Sequence, residues 1–239
     1  MSTIDLSQIA VPDAIETLDF ETILSEMAAA VTAAAPDLAD DLARESSMPS
    51  IVLQVVAFRE MLLRARVNDG VRAVTLARAT GADLDNLAAL YGIERLVIDA
   101  GDPDAIPPVP PTLESDTIFR ARVQQAPEGW AAAGPVGAYR FHALSASGDV
   151  KDVSVTSPDP GVVRVAVLSR TGGGAADAGL IDTVALALNA EDIRPLCDTV
   201  NVQSAAIQTY AITATLTFYP GPDTAVVLAE AQAAAEAWA

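Results

Sequence analysis

The spacing of apolar and polar positions splits the chain into a helical first part and a strand-bearing last part. After a mixed, extended start, Phe20, Ile23, Leu24, Met27 and Val31 recur at helical intervals. This is an amphipathic stripe that Asp19 can cap and Pro36 can end. Ser47 and Pro49 open a second helix, expected to run to about Arg78. On it Ile51, Val55, Phe58, Leu62, Ala65, Ala73 and Leu76 share one side, and Val52, Leu63 and Val74 widen that side. A face this broad buries more than one neighbour, so a helical bundle is expected. Gly81 is placed to cap the end of this helix. Asp83 or Asp85 then caps a short helix carrying Leu84, Leu87, Leu90 and Tyr91, and Gly92 stops it.

Residues 99–113 hold five prolines and read as an extended linker at a domain boundary. Ser115 or Asp116 caps the next helix, with Ile118, Phe119 and Val123. Gly134-Pro135 opens another, with Tyr139, Arg140, Phe141 and Leu144. From Val150 the period drops to two, giving strand, turn at Pro158–Gly161, and strand. A glycine-rich loop leads into a helix with Leu180, Ile181, Val184 and Leu188, and two further strands follow. The clearer of these places Tyr210, Ile212, Ala214, Leu216 and Phe218 on one face and alternates them with threonines. Tyr219-Pro-Gly-Pro-Asp breaks it before a final alanine-rich helix. The expected fold is α+β: an N-terminal helical region, then an α/β sandwich with a mostly antiparallel sheet in the order β-β-α-β-β-α. The expected division is a helical bundle or arm at 1–98, a linker at 99–113, a helical connector at 114–148 and the sandwich at 149–239.

Charge narrows the partners. The chain carries 32 acidic residues against 14 basic, a net −18. Nucleic acid demands a cationic footprint and anionic membranes repel such a surface, so neither is expected as a partner. Every basic residue except Lys151 is arginine, which suits paired carboxylates at packed interfaces, although genomic arginine bias gives the same pattern. One cysteine, Cys197, rules out an intrachain disulfide and a multi-cysteine zinc site. The start lacks a basic segment and an apolar run, so folding in a cytoplasm is expected.

Candidate chemistry is thin. Asp83 and Asp85 do not continue into a calcium loop, because Leu87, Ala88 and Ala89 stand where ligands should follow. The Gly172–Gly174 loop precedes a helix as phosphate loops do, yet no lysine follows it and Asp177 brings negative charge. These two features carry the alternative reading, a metal- or nucleotide-dependent cytoplasmic enzyme. His142 is the sole histidine and is expected in a packed or surface role. Cys197 is expected as a small core or boundary residue. No catalytic residue, cofactor or metal ligand is assigned.

Several segments together carry a resemblance. They are "RARVNDGVRAVTLARATGADLDNLAALYGIER" at 64–95, "ESDTIFRARV" at 114–123, "AGPVGAYRFHALSASGDVKDVSVTSPDPGVVRVAVL" at 133–168 and "IRPLCDTVNV" at 193–202. In this order they resemble the baseplate J-like family, wedge proteins of contractile-tailed phages and related injection devices, over roughly residues 45 to 235. The resemblance implies a non-enzymatic structural part of the virion tail baseplate, assembled in the host bacterial cytoplasm around a central hub and spike. It implies a homodimer joined through a helical bundle to a second wedge protein, with a lysozyme-like wedge protein nearby. The helix from Pro49 to Arg78 and the first helix are assigned to that bundle, with Phe20, Ile23, Leu24, Met27, Ile51, Val55, Phe58 and Leu62 as interface residues. Family members commonly continue into a further small α/β segment that touches neighbouring wedges, whereas this sequence stops at Trp238-Ala239.

Overall fold

The computed structural model describes residues 4–218 and 223–238. They form two compact units, one up to Ala205 and one from Ala206. The breaker at 219–222 lies outside the described residues.

Helix α1, Phe20–Ala34, starts as its sequence predicts: the Asp19 carboxylate accepts the Thr22 N–H at 2.7 Å. After the single turn α2, Ala39–Leu42, helix α3 runs Met48–Ala73, capped by Ser47 with Pro49 in its first turn. It ends short of Arg78, and Gly81 does not cap it. Gly81 instead opens α4, Gly81–Ala89, with φ +52°. Neither Asp83 nor Asp85 accepts a helix N–H. The Gly81 N–H goes to the Asp116 carboxylate at 3.2 Å, so the cap comes from another helix, α5, Asp116–Gly129. Asp83 lies in the first turn of α4, and Asp85 pairs with Arg95 at 2.5 Å. The proline-rich stretch is a folded-back arm: β1, Val97–Asp99, pairs antiparallel with β2, Thr112–Leu113, and Asp102 bridges to Val109.

Helix α6, Val136–Ala146, leads into the hairpin of β3, Val150–Asp159, and β4, Val162–Ser169. Its turn uses Gly161 at φ +75°, a conformation that favours glycine. Helix α7, Ala178–Leu188, is capped by Asp177, and β5, Thr199–Ser204, follows. The sheet order is β3-β4-β5, with β5 parallel to β4 from Val162↔Thr199 to Val167↔Ser204. The sheet is therefore mixed. A helix between two neighbouring strands makes a crossover that returns the chain in the same direction.

The expected fourth strand is a second departure. Residues 205–218 carry neither helix nor strand, and α8, Thr224–Trp238, closes the second unit. Alternation supplies two chemically distinct faces, but a strand also needs a neighbour's hydrogen bonds, and none of the described residues provides them. Among the described residues no helix is long and apolar enough to cross a membrane.

Two apolar cores hold the first unit. Leu84, Ala88, Ile93, Phe119, Val123 and Ala126 form the helical one. The sheet core joins Val153, Val165 and Val167 to Tyr139 and Ala143 of α6 and to Leu180, Val184 and Leu188 of α7. Phe141 of α6 packs on the helical core while Tyr139 enters the other, so α6 ties them together. The Tyr139 hydroxyl donates to Asp198 at 2.7 Å; burial, reinforced by that carboxylate, pushes its pKa well above the usual tyrosine value.

Between the cores lies a buried ion pair. Arg122 and Glu114 are 6% and 4% exposed. Arg122 donates Nε to Oε1 at 3.1 Å and Nη2 to Oε2 at 2.6 Å, and Nη2 also reaches the Glu94 carbonyl. Glu114 Oε2 further accepts the Leu96 N–H at 2.9 Å. Arg95 donates to the Glu114 carbonyl at 2.7 Å and to Asp116 at 2.6 Å. Both guanidinium groups lie over the Phe119 ring, at 4.7 and 5.4 Å from its centroid. Beside this knot Gly148 meets β1 so closely that a Cβ would sit 2.1 Å from the Val97 carbonyl oxygen.

Glu114→Gln leaves Arg122 charged and buried without its carboxylate, and should cost about 3–5 kcal/mol in denaturant unfolding. Restoring stability with a joint Glu114→Leu/Arg122→Met change would show that the loss comes from the orphaned charge. Asp116 gives a pH test. The hydrogen bond from Arg95, with help from the Gly81 N–H, holds its carboxyl below the usual range despite partial burial. A depressed folded value contributes stability above the unfolded value of about 4, and that stability disappears as pH falls through the folded value. Asp116→Asn should therefore be less stable than wild type by up to ~1 kcal/mol at neutral pH. Acid titration monitored by circular dichroism should show the two proteins converging below about pH 4.

Candidate partner interface

Helix α3 is built inside out. With 100° per residue, Ser50, Ala57, Arg64 and Asn68 fall on its inward side. Ser50, Ala57 and Asn68 are buried. Their work is largely polar: Ser50 Oγ donates to the Leu42 carbonyl at 3.1 Å, and Asn68 brackets the Glu16 main chain, accepting its N–H at 3.0 Å and donating to its carbonyl at 2.9 Å. Arg64 on the same side pairs with Glu60 at 2.5 Å.

The outward side carries the apolar load. Ile51, Val55, Phe58 and Leu62 form one stripe, 44–60% exposed. Val52, Val56, Leu63 and Val67 form a second, 45–66% exposed. Together they span an arc of roughly 180°. Water meets this arc at a cost, because each such side chain gains ~1.5–3 kcal/mol on full burial. These exposed apolar stripes make the outward side of α3 a candidate interaction surface.

The eight residues read from sequence as an interface thus occupy two different settings. On α1, Ile23 is buried and Phe20, Leu24 and Met27 are half-buried, and this helix packs against α3 within the chain. On α3, all four face solvent. Val56 and Val67 belong to the same surface, extending the second stripe, of which the sequence reading includes only Val52 and Leu63. The signal was available in the polar run Gln54, Glu60, Arg64 and Asn68, which marks the opposite side as the one turned toward the protein's own hydrogen bonds.

The second unit has its own apolar surface. Tyr210, Ile212, Leu216 and Phe218 are 38–65% exposed, and a cavity of about 720 Å³ runs between this segment and Leu228, Ala231 and Ala235 of α8.

Two carboxylates weighed in the enzyme reading, Asp85 and Asp177, are engaged within the chain. Arg95 holds Asp85. Asp177 accepts the Leu180 N–H at 2.8 Å, placing its own carboxylate where a helix-bound phosphate would go. Gly172–Gly174 form a short turn with positive φ throughout. His142 packs edge-on to Phe141, with Nε2 3.1 Å from the Gly129 carbonyl oxygen. Cys197 is exposed rather than in the core, since the turn before β5 lies at the surface.

Residues 45–102 match the Baseplate J-like N-terminal domain, and residues 131–204 match the Baseplate J-like central domain. Baseplate protein J of Escherichia phage P2 is 47% identical over 243 residues, covering 100% of this chain and 80% of that protein. With both domains matched in chain order and that relative aligned along the full sequence, the chain belongs to the baseplate J-like family and is a structural component of a tail baseplate.

Proposed function

We propose that this subunit is a wedge protein that anchors a second baseplate protein through the outward face of α3. The observation that carries the reading is the two-stripe apolar arc of that helix, left in water by its own fold. One stripe matches one partner helix; two stripes fit a bundle of at least two more. A homodimer joined to one copy of another wedge protein supplies such helices, with a lysozyme-like wedge protein and the hub and spike as further neighbours. The work is mechanical rather than enzymatic, performed in the virion baseplate after assembly in the host cytoplasm. The expected division into a helical bundle or arm at 1–98, a Pro-rich linker at 99–113, a helical connector at 114–148 and an α+β sandwich at 149–239 fits this role.

Val55→Asp/Phe58→Asp tests it. Both positions are exposed, so the purified variant should melt no lower than wild type. Co-produced with the other baseplate components, it should fail to enter assembled particles, whereas Asp83→Ser, at an exposed position of α4, should enter normally. Electron microscopy and gel analysis of purified tails read the result. Normal incorporation of the aspartate variant would remove the α3 interface.

A further inference from the structure

Two features of the first unit are untouched by the α3 interface, and their chemistries match. One is a cavity of about 260 Å³ where α5, α6 and β3 meet. Leu96, Ile118, Leu144 and Val150 give it an apolar lining, and Arg140, Lys151 and Arg170 bring cations to it. Arg140 is occupied by Asp152 at 2.6 Å and by the Val153 carbonyl at 2.9 Å. Arg122 and Glu114, which also line the cavity, neutralise each other. Arg170 donates Nε to the Gly148 carbonyl at 2.8 Å, but neither it nor the exposed Lys151 forms an ion pair among the described residues. Two uncompensated cations thus stand together in a chain of net charge −18. The volume lies below the ~300–1,000 Å³ of pockets for drug-sized ligands, so it suits one or two side chains rather than a nucleotide.

The other feature is the tip of the arm between β1 and β2. It is held by its own main chain. Asp102 and Val109 exchange N–H···O bonds of 2.9 Å each, and the Asp102 carboxylate accepts the Asp104 N–H at 3.0 Å. Gly101, at φ +67°, lies against the Val109 carbonyl, where a Cβ would come within 2.3 Å of the oxygen. This ordered tip presents the Asp104 carboxylate, which has no partner among the described residues, and Ile106, 99% exposed. A fixed acid and a fully exposed apolar side chain two positions apart are the complement of the cavity.

Ile106 stands in solvent, so the tip does not fill the cavity of its own chain. We propose that Asp104 and Ile106 of one copy seat in the α5–α6–β3 cavity of a second copy, the carboxylate against Lys151 and Arg170 and the isoleucine on the apolar lining. The contact joins two different patches, which is the head-to-tail geometry that forms a ring when its rotation closes. It rests on the proposed reading that a baseplate holds more than one copy of this subunit, and goes beyond the α3 interface by naming a second contact.

The full chain tests the fit. With Val55→Asp/Phe58→Asp present to silence the α3 face, sedimentation velocity at rising protein concentration should show self-association, weakened about tenfold when salt rises from about 0.05 to about 0.3 M. Asp104→Lys, Ile106→Ala or Lys151→Glu added to that chain should each weaken it at least about tenfold. Asp104→Lys and Lys151→Glu combined in one chain should regain association, and each variant should keep the melting temperature of its parent because all three positions are exposed. No self-association, or no recovery in the combined variant, would overturn the contact. The α3 interface is read separately, by whether Val55→Asp/Phe58→Asp enters assembled tails.

Discussion

The first unit depends on one buried ion pair. Arg122 and Glu114 are removed from water, a costly step that only good geometry and additional hydrogen bonds can offset. Both conditions are met: the contact is bidentate, and the remaining polar atoms reach the Glu94 carbonyl and the Leu96 N–H. Those main-chain groups belong to the segment that leaves the helical core and enters the arm. The pair therefore fixes where the chain turns, and Phe119, flanked by two guanidinium groups, joins that polar knot to the apolar core. Arg95 extends it to α4 and α5 through Asp85 and Asp116.

Against this rigid centre α3 behaves differently. Its inward side is held by hydrogen bonds to the main chain of Glu16 and Leu42 and by packing of α1 around Ala57, so the helix is positioned without using its outward apolar residues. The distribution fits a subunit whose free energy is completed in an assembly. In the proposed wedge, burial of the outward stripes waits for a partner helix, which would link the folding of one chain to the association of several.

Much of this was legible in sequence. The helix starts at Asp19, Ser47 and Ser115 follow from side-chain oxygens placed before apolar runs, and each accepts the expected N–H. The exposed stripe on α3 was readable because its width exceeded what one neighbour could cover. What escaped depended on contacts distant in sequence. Asp116 caps α4 from another helix, a relation no local pattern encodes. The direction of β5 follows from how the α7 crossover lies on the sheet, whereas alternation reports only faces. The segment at 210–218 has the alternation of a strand but no ladder among the described residues, because period two records amphipathicity and not pairing. The five prolines from Pro103 to Pro111 read as an extended linker, yet the flanking β1 and β2 pair and close them into an arm.

Gly148 gives that arm a mechanical character. The absence of a side chain lets the turn after α6 meet the Val97 main chain directly, and Leu96 is bonded to Glu114 on the adjoining side. The arm's root is thus clamped backbone to backbone, without a compressible layer of side chains. A pull on its tip would be delivered to the sheet and the helical core at once, as a strut bolted to a frame passes its load to the whole structure.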